Sequence, residues 1–145
     1  MISPCFFGDR KNMVKIITAI VASLAALVGL GYLLTTVVLQ PIGNDLSVIG
    51  KGKPVLVLVY ENYSPAGGDA LNRLSQVKSD YHSRLDFVVA DLGVPEGRAF
   101  ADRYQMVNGQ AMFMKQDGQP LWIKSIPADE SELRSRLDSS LMAVE

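Results

Sequence analysis

Cys5, His82 and Ser64 are the side chains whose types suit covalent or acid–base chemistry, and their surroundings decide against each in turn. Cys5 is the only cysteine, so neither an intramolecular disulfide nor a thiolate metal cluster can form. His82, the only histidine, stands between Tyr81 and Ser83 near a predicted helix end. A general base needs a nucleophile or an orienting carboxylate in reach, and no spacing marks one, so the imidazole reads as solvated or capping. Ser64 has no Gly-x-Ser-x-Gly elbow around it, and His82 lies 18 residues on, at the far end of the next helix. It reads as a cap or turn residue ahead of Pro65 and Gly67-Gly68. The free amides of that helix start suit an anion, but Asp69 opposes a negative ligand and no basic residue is adjacent.

The elements that position Ser64 follow from apolar periodicity. Pro54 to Tyr60 is a short, β-branched, continuously apolar run, predicting a central strand covered on both faces. A helix beginning near Gly68 follows, with Leu71, Leu74, Val77 and Tyr81 turned inward and Asn72, Arg73, Gln76 and Lys78 outward. Leu85 to Asp91 reads as a second strand, parallel to the first, and Glu96 to Tyr104 as a short helix presenting Ala99, Phe100 and Tyr104. Ala111 to Lys115 and Leu121 to Lys124 flank a Gln116-Asp117-Gly118-Gln119 turn, the signature of a hairpin. Asp129 caps a last helix, with Glu132 expected to reach back to it and Leu133, Leu137 and Leu141 on the buried side. Met112, Met114 and Trp122 read as core filling. The order is β-α-β-α-β-β-α, a layered α/β domain with a mixed sheet.

Ahead of this domain, residues 16–39 run for 24 positions without a charge. As a helix that run is roughly 36 Å long, enough to span a bilayer with some tilt. It is too long for the apolar part of a cleaved signal peptide and ends without a small-residue cleavage site. Arg10, Lys11 and Lys15 crowd its N-terminal edge, whereas Lys51 and Lys53 lie well beyond its far end. Residues 1–15 are therefore expected in the cytoplasm, the domain outside it, and the location to be an inner, cytoplasmic-type membrane. Met13-Val14-Lys15 reads as an alternative start, which would leave that orientation resting on Lys15 and the amino terminus. Thr18, Ala22, Ala25, Ala26 and Gly29 recur along one side of the span, at spacings that let a second helix approach closely; the alternative reading is that Ala and Gly are common in any spanning helix. No ionisable residue lies within it, which argues against ion or proton conduction by this helix alone. Residues 40–51, rich in Pro, Gly, Asn and Asp, are expected to form a linker, and residues 52–145 the domain. Net charge is −1, with 14 basic and 15 acidic residues intermixed, so a phosphate-tracking surface for nucleic acid is not expected.

The pattern resembles the thioredoxin-like family over about residues 52 to 142. Lys53-Pro54-Val55-Leu56-Val57 is similar to the strand leading to the thioredoxin active site, and Tyr63 falls where the family usually has a tryptophan before its first cysteine. Tyr104-Gln105-Met106 with Asp117-Gly118 resembles the segment running into the family's hairpin turn. The resemblance implies a three-layer thioredoxin-like sandwich. It also places Ser64 and Gly67 at the two cysteine positions, Leu58 where the family buries an acidic residue, and Gln110 where it has a cis-proline. Thiol–disulfide exchange needs an attacking thiolate, a resolving thiol and a proton carrier, and a serine hydroxyl is too weak an acid to replace a thiol. What the resemblance implies is a redox-inactive member, not an enzyme, with no cofactor, metal or small-molecule substrate.

In that family the surface around these positions also receives extended partner segments. Here it would comprise Asn62, Tyr63, Ser64 and Pro65 with Val107, Asn108, Gly109 and Gln110, holding a partner by main-chain and amide hydrogen bonds with Tyr63 as aromatic anchor. An ordinary exposed pair of loops is the alternative reading of the same residues. The expected function is a membrane-anchored accessory, assembly or interaction subunit of a membrane protein complex. The alternatives are a non-catalytic partner or holdase in extracytoplasmic disulfide or cytochrome maturation, and a general extracytoplasmic chaperone.

Overall fold

The computed structural model describes Lys15, residues 17–28 and residues 41–144. The chain divides into two compact units, Met1–Gln40 and Pro41–Glu145. In the first, residues 17–28 form helix α1, with Thr18, Ala22, Ala25 and Ala26 exposed alongside Ile17, Ile20, Val21, Leu24, Leu27 and Val28. No helix among the described residues is long and apolar enough to cross a membrane. Of the span expected over 16–39, residues 16 and 29–39 lie outside the described residues, and Gly29 of the packing set with them.

The second unit is built from β1 (Val55–Tyr60), α2 (Pro65–Tyr81), β2 (Asp86–Asp91), α3 (Pro95–Tyr104), β3 (Gln110–Met114), β4 (Pro120–Ser125) and α4 (Glu130–Met142). The sheet order is β2-β1-β3-β4, with β1 parallel to β2 and antiparallel to β3, and β3 antiparallel to β4. A parallel pair needs a crossover, which α2 supplies, whereas β3 and β4 need only the turn in which Gly118 takes φ +82°. β1 is central, and Val55 to Val59 are fully buried because each face of the strand is covered. One face carries Leu56 and Leu58 into a core with Leu74, Val77, Phe113 and Leu137, under α2 and α4. The other carries Val55, Val57 and Val59 into a core with Val88, Met112 and Phe100, under α3. The sequence predicts this three-layer order.

Several local expectations are corrected. Helix α2 starts at Pro65 rather than near Gly68, because a proline at the first helical position needs no amide partner and its φ is already helical. Gly67, expected in a turn, is helical and buried. On α3, Phe100 and Ala101 face the core while Ala99 is exposed, since the short helix rolls to seat Phe100 against β2. Residues 41–51, expected to be a free linker, fold against the domain. The Val89 amide donates to the Gly43 carbonyl at 2.8 Å, and Leu46, Val48 and Ile49 pack on the α3-side core around a single 3-10 turn, Leu46–Val48. The turn-forming residues of that stretch thus bend an apolar strap along the β2 edge.

Asp129 accepts from the Glu132 amide at 2.9 Å, completing one half of the expected capping pair. The other half is not made: the Glu132 carboxylate accepts from Arg136 instead, at 2.8 Å. Bonds from the Ser131 hydroxyl, then from the Glu132 amide, hold the Asp129 carboxyl below its ordinary pKa of 3.8. A depressed carboxyl stabilises the fold above the unfolded-state value, and the contribution is lost as pH falls through the folded value. Asp129→Ala is therefore expected to lower Tm at pH 7, with the gap to the parent closing below pH 3.8, as checked by thermal melts across pH.

Candidate functional site

The chain leaves β1 at Tyr60, turns through Glu61 to Ser64, and enters α2 at Pro65. Antiparallel pairing of Leu58 with Ala111 brings the loop ahead of β3 alongside this turn, and the Gly109 amide donates to the Val59 carbonyl at 2.9 Å. The two loops named from the sequence, 62–65 and 107–110, are thus brought together. The register of β1 against β3 makes the meeting obligatory.

Asn108 joins them. Its Nδ2 donates to the Ser64 hydroxyl at 2.6 Å, and its Oδ1 accepts from the Glu61 amide at 2.9 Å. The same oxygen lies 2.4 Å from where a Cβ on Gly67 would stand, and the Tyr60 ring lies 3.2 Å from it. Both positions matched to the family's cysteines are therefore engaged by one amide: Ser64 is hydrogen-bonded to it, and Gly67 must lack a side chain to make room for it. Ser64 occupies the N-cap of α2 yet makes no capping bond, because its oxygen is turned toward Asn108.

The remaining named residues divide by what their polar groups are doing. The Asn62 side-chain oxygen accepts from the Tyr63 amide at 3.1 Å and from the Tyr60 hydroxyl at 3.3 Å. Gln110 receives the Val107 amide on its side-chain oxygen at 3.0 Å and returns its own amide to the Val107 carbonyl at 3.1 Å. Among the described residues no peptide bond is cis, so this side-chain turn shapes the loop at the position matched to the family's cis-proline. The amides expected to hold a partner are mostly spent within the chain. Apolar side chains are left outward: Tyr63 is 96% exposed and Val107 61%, with Pro65 exposed beside Ser64. Tyr63 has φ +68°, a left-handed conformation that costs a non-glycine residue about 1 kcal/mol or more, offset here by the Asn62 bond to its amide.

Leu58, at the position of the family's buried acid, is fully buried and pairs with Val89 and Ala111 in the sheet. His82 sits at the C-terminal cap of α2 with Nδ1 against the Ser79 carbonyl at 2.6 Å. The 17 residues of that helix separate it from Ser64 by about 25 Å, so the two cannot form a nucleophile–base pair. Among the described residues no group of His, Cys, Asp and Glu is placed to hold a metal ion.

Sequence reasoning assigned Asn108 to a partner surface and missed its role as an internal clamp. The unpaired signal was Gly67, a glycine inside a helix where it costs about 1 kcal/mol unless something fills the vacated space. Also missed was an open groove of about 350 Å³ beside the clamp, bounded by α2 at Ala70 and Arg73 and by the strand ends at Gly109, Ser125 and Ile126.

This combination of sheet order, crossover and flanking helices is a thioredoxin-like fold. Solved structures agree. An uncharacterised thioredoxin-like protein from Clostridium perfringens superposes with TM-score 0.57 at 15% identity, over 66% of this chain and 77% of that one. Trxlp from Edwardsiella tarda matches with TM-score 0.52 at 18% identity, over 61% and 84%. The germline-specific thioredoxin Deadhead from Drosophila melanogaster matches with TM-score 0.51 at 15% identity, over 62% and 83%. No protein-family model and no curated relative matches the sequence.

Proposed function

We propose that the chain is a membrane-anchored, redox-inert thioredoxin-like protein, acting as an accessory or assembly subunit of a membrane protein complex on the side opposite the cytoplasm. The observation that carries this reading is the Asn108 clamp over positions 64 and 67, with Tyr63 held outward beside it. A loop pair closed by internal hydrogen bonds has little use for thiol chemistry, whereas a rigid loop displaying an aromatic and an aliphatic side chain suits protein docking. The uncharged run over 16–39 supports anchoring, and the basic residues ahead of it support a cytoplasmic N-terminus.

Purification of the tagged full chain in mild detergent is expected to bring down membrane partners in stoichiometric amount. A Tyr63→Ala/Val107→Asp double variant should lose them while keeping the parent's circular dichroism. A monodisperse monomer from the parent would overturn the reading.

A further inference from the structure

We infer that the groove beside the clamp selects an extended protein segment carrying an acidic side chain, with Arg73 as its counter-ion. This rests on the docking reading above and adds the chemistry of the partner. Three arginines among the described residues are half-buried: Arg73, Arg134 and Arg136. Arg134 pairs with Asp80 and Glu130, and Arg136 with Glu132. Arg73 lines the groove with no ion pair or hydrogen bond among the described residues.

A guanidinium carries five donors in a planar fork that matches the two oxygens of a carboxylate. Asp69 precedes Arg73 by one turn, at a spacing that suits an ion pair, yet no such pair forms. The fork is therefore left for a carboxylate brought from outside, which it can grip in bidentate fashion. Asp69, at the rim of the same groove, weakens the binding of any anion and of a multiply charged one such as phosphate most, so a singly charged carboxylate is the anion least opposed. The opposite wall is formed by the ends of β3 and β4, where Gln110 and Ser125 pair with each other.

The test uses the full chain in detergent micelles and three acetylated peptides of sequence Gly-Ser-Val-X-Val-Ser-Gly, with X as Glu, Gln or Lys. Fluorescence anisotropy reads affinity, and amide shifts of residues 107–110 report where the peptide sits. The Glu peptide is expected to bind about tenfold more tightly than the Lys peptide. Arg73→Gln should reduce that preference to about twofold or less, and Asp69→Asn should tighten Glu-peptide binding. Equal binding of all three peptides by the parent, with the 107–110 amides shifting, would overturn the charge assignment and leave the docking site standing. A Glu preference that survives Arg73→Gln would also overturn it. No binding by any peptide, from a parent chain that still brings down its membrane partners, would overturn the groove's role and leave the docking reading standing.

Discussion

Leu58→Asp is expected to destabilise the domain by about 3–5 kcal/mol at pH 7, the cost of an uncompensated buried charge. Leu58 has no exposed surface and lies in the core formed by Leu56, Leu74 and Phe113. Among the described residues its sheet partners, Val89 and Ala111, offer only aliphatic side chains at that level. Desolvation would raise the introduced carboxyl's pKa above its unfolded value of about 3.9. The folded state then holds the proton more tightly than the unfolded state, so the deficit should shrink as pH falls from 7 through the raised pKa. Urea titrations at pH 7 and pH 4.5 measure this. Leu58→Asn, of similar shape but without a titrating group, should be destabilised equally at both pH values. A Leu58→Asp variant as stable as the parent would mean that water reaches beneath the loops, and that the position still suits a proton-carrying acid.

Gly67→Ala should destabilise the parent by about 1–2 kcal/mol, yet stabilise an Asn108→Ala background by about 0.5–1 kcal/mol. Alanine is the better helix former, and on an open helix the exchange would help. In the parent the new Cβ meets Asn108 Oδ1 at 2.4 Å, and the amide can withdraw only by giving up the Glu61 amide and the Ser64 hydroxyl. With Asn108 already truncated only the Tyr60 ring, 3.2 Å from the new Cβ, has to shift, and only by a few tenths of an ångström. The cycle predicts a coupling of about 2 kcal/mol between two residues distant in sequence, read from denaturant midpoints of the four proteins. Additivity would show that Asn108 swings away freely and that the clamp contributes no rigidity. The same clash predicts that Ser64→Cys/Gly67→Cys, which restores the spacing of a redox pair, reduces insulin disulfides no faster than buffered dithiothreitol alone.

The composition and periodicity carry a good deal of this protein by themselves. The β-α-β-α-β-β-α order is legible because each element has its own local signal: a β-branched run for β1, the Leu133-Leu137-Leu141 stripe for α4, and Asp117-Gly118 for the hairpin turn. Helix boundaries and faces were less legible. Gly67-Gly68 reads as a turn until Pro65 is seen at the first helical position, and Ala99 and Ala101 are equivalent on a short helix until Phe100 docks against β2. The strap at 41–49 escaped for a similar reason, since Pro41, Gly43, Asn44 and Asp45 mask Leu46, Val48 and Ile49 until a sheet edge exists for them to cover.

The chemistry divides along the same line. That positions 64 and 67 carry no thiol, and position 58 no carboxyl, is a property of residue identity and was decided by the sequence alone. What occupies the place of that chemistry was decided by tertiary structure. Asn108 reaches Ser64, Glu61 and the space over Gly67 only because β3 lies antiparallel beside β1, and no local pattern links residues so far apart in the chain.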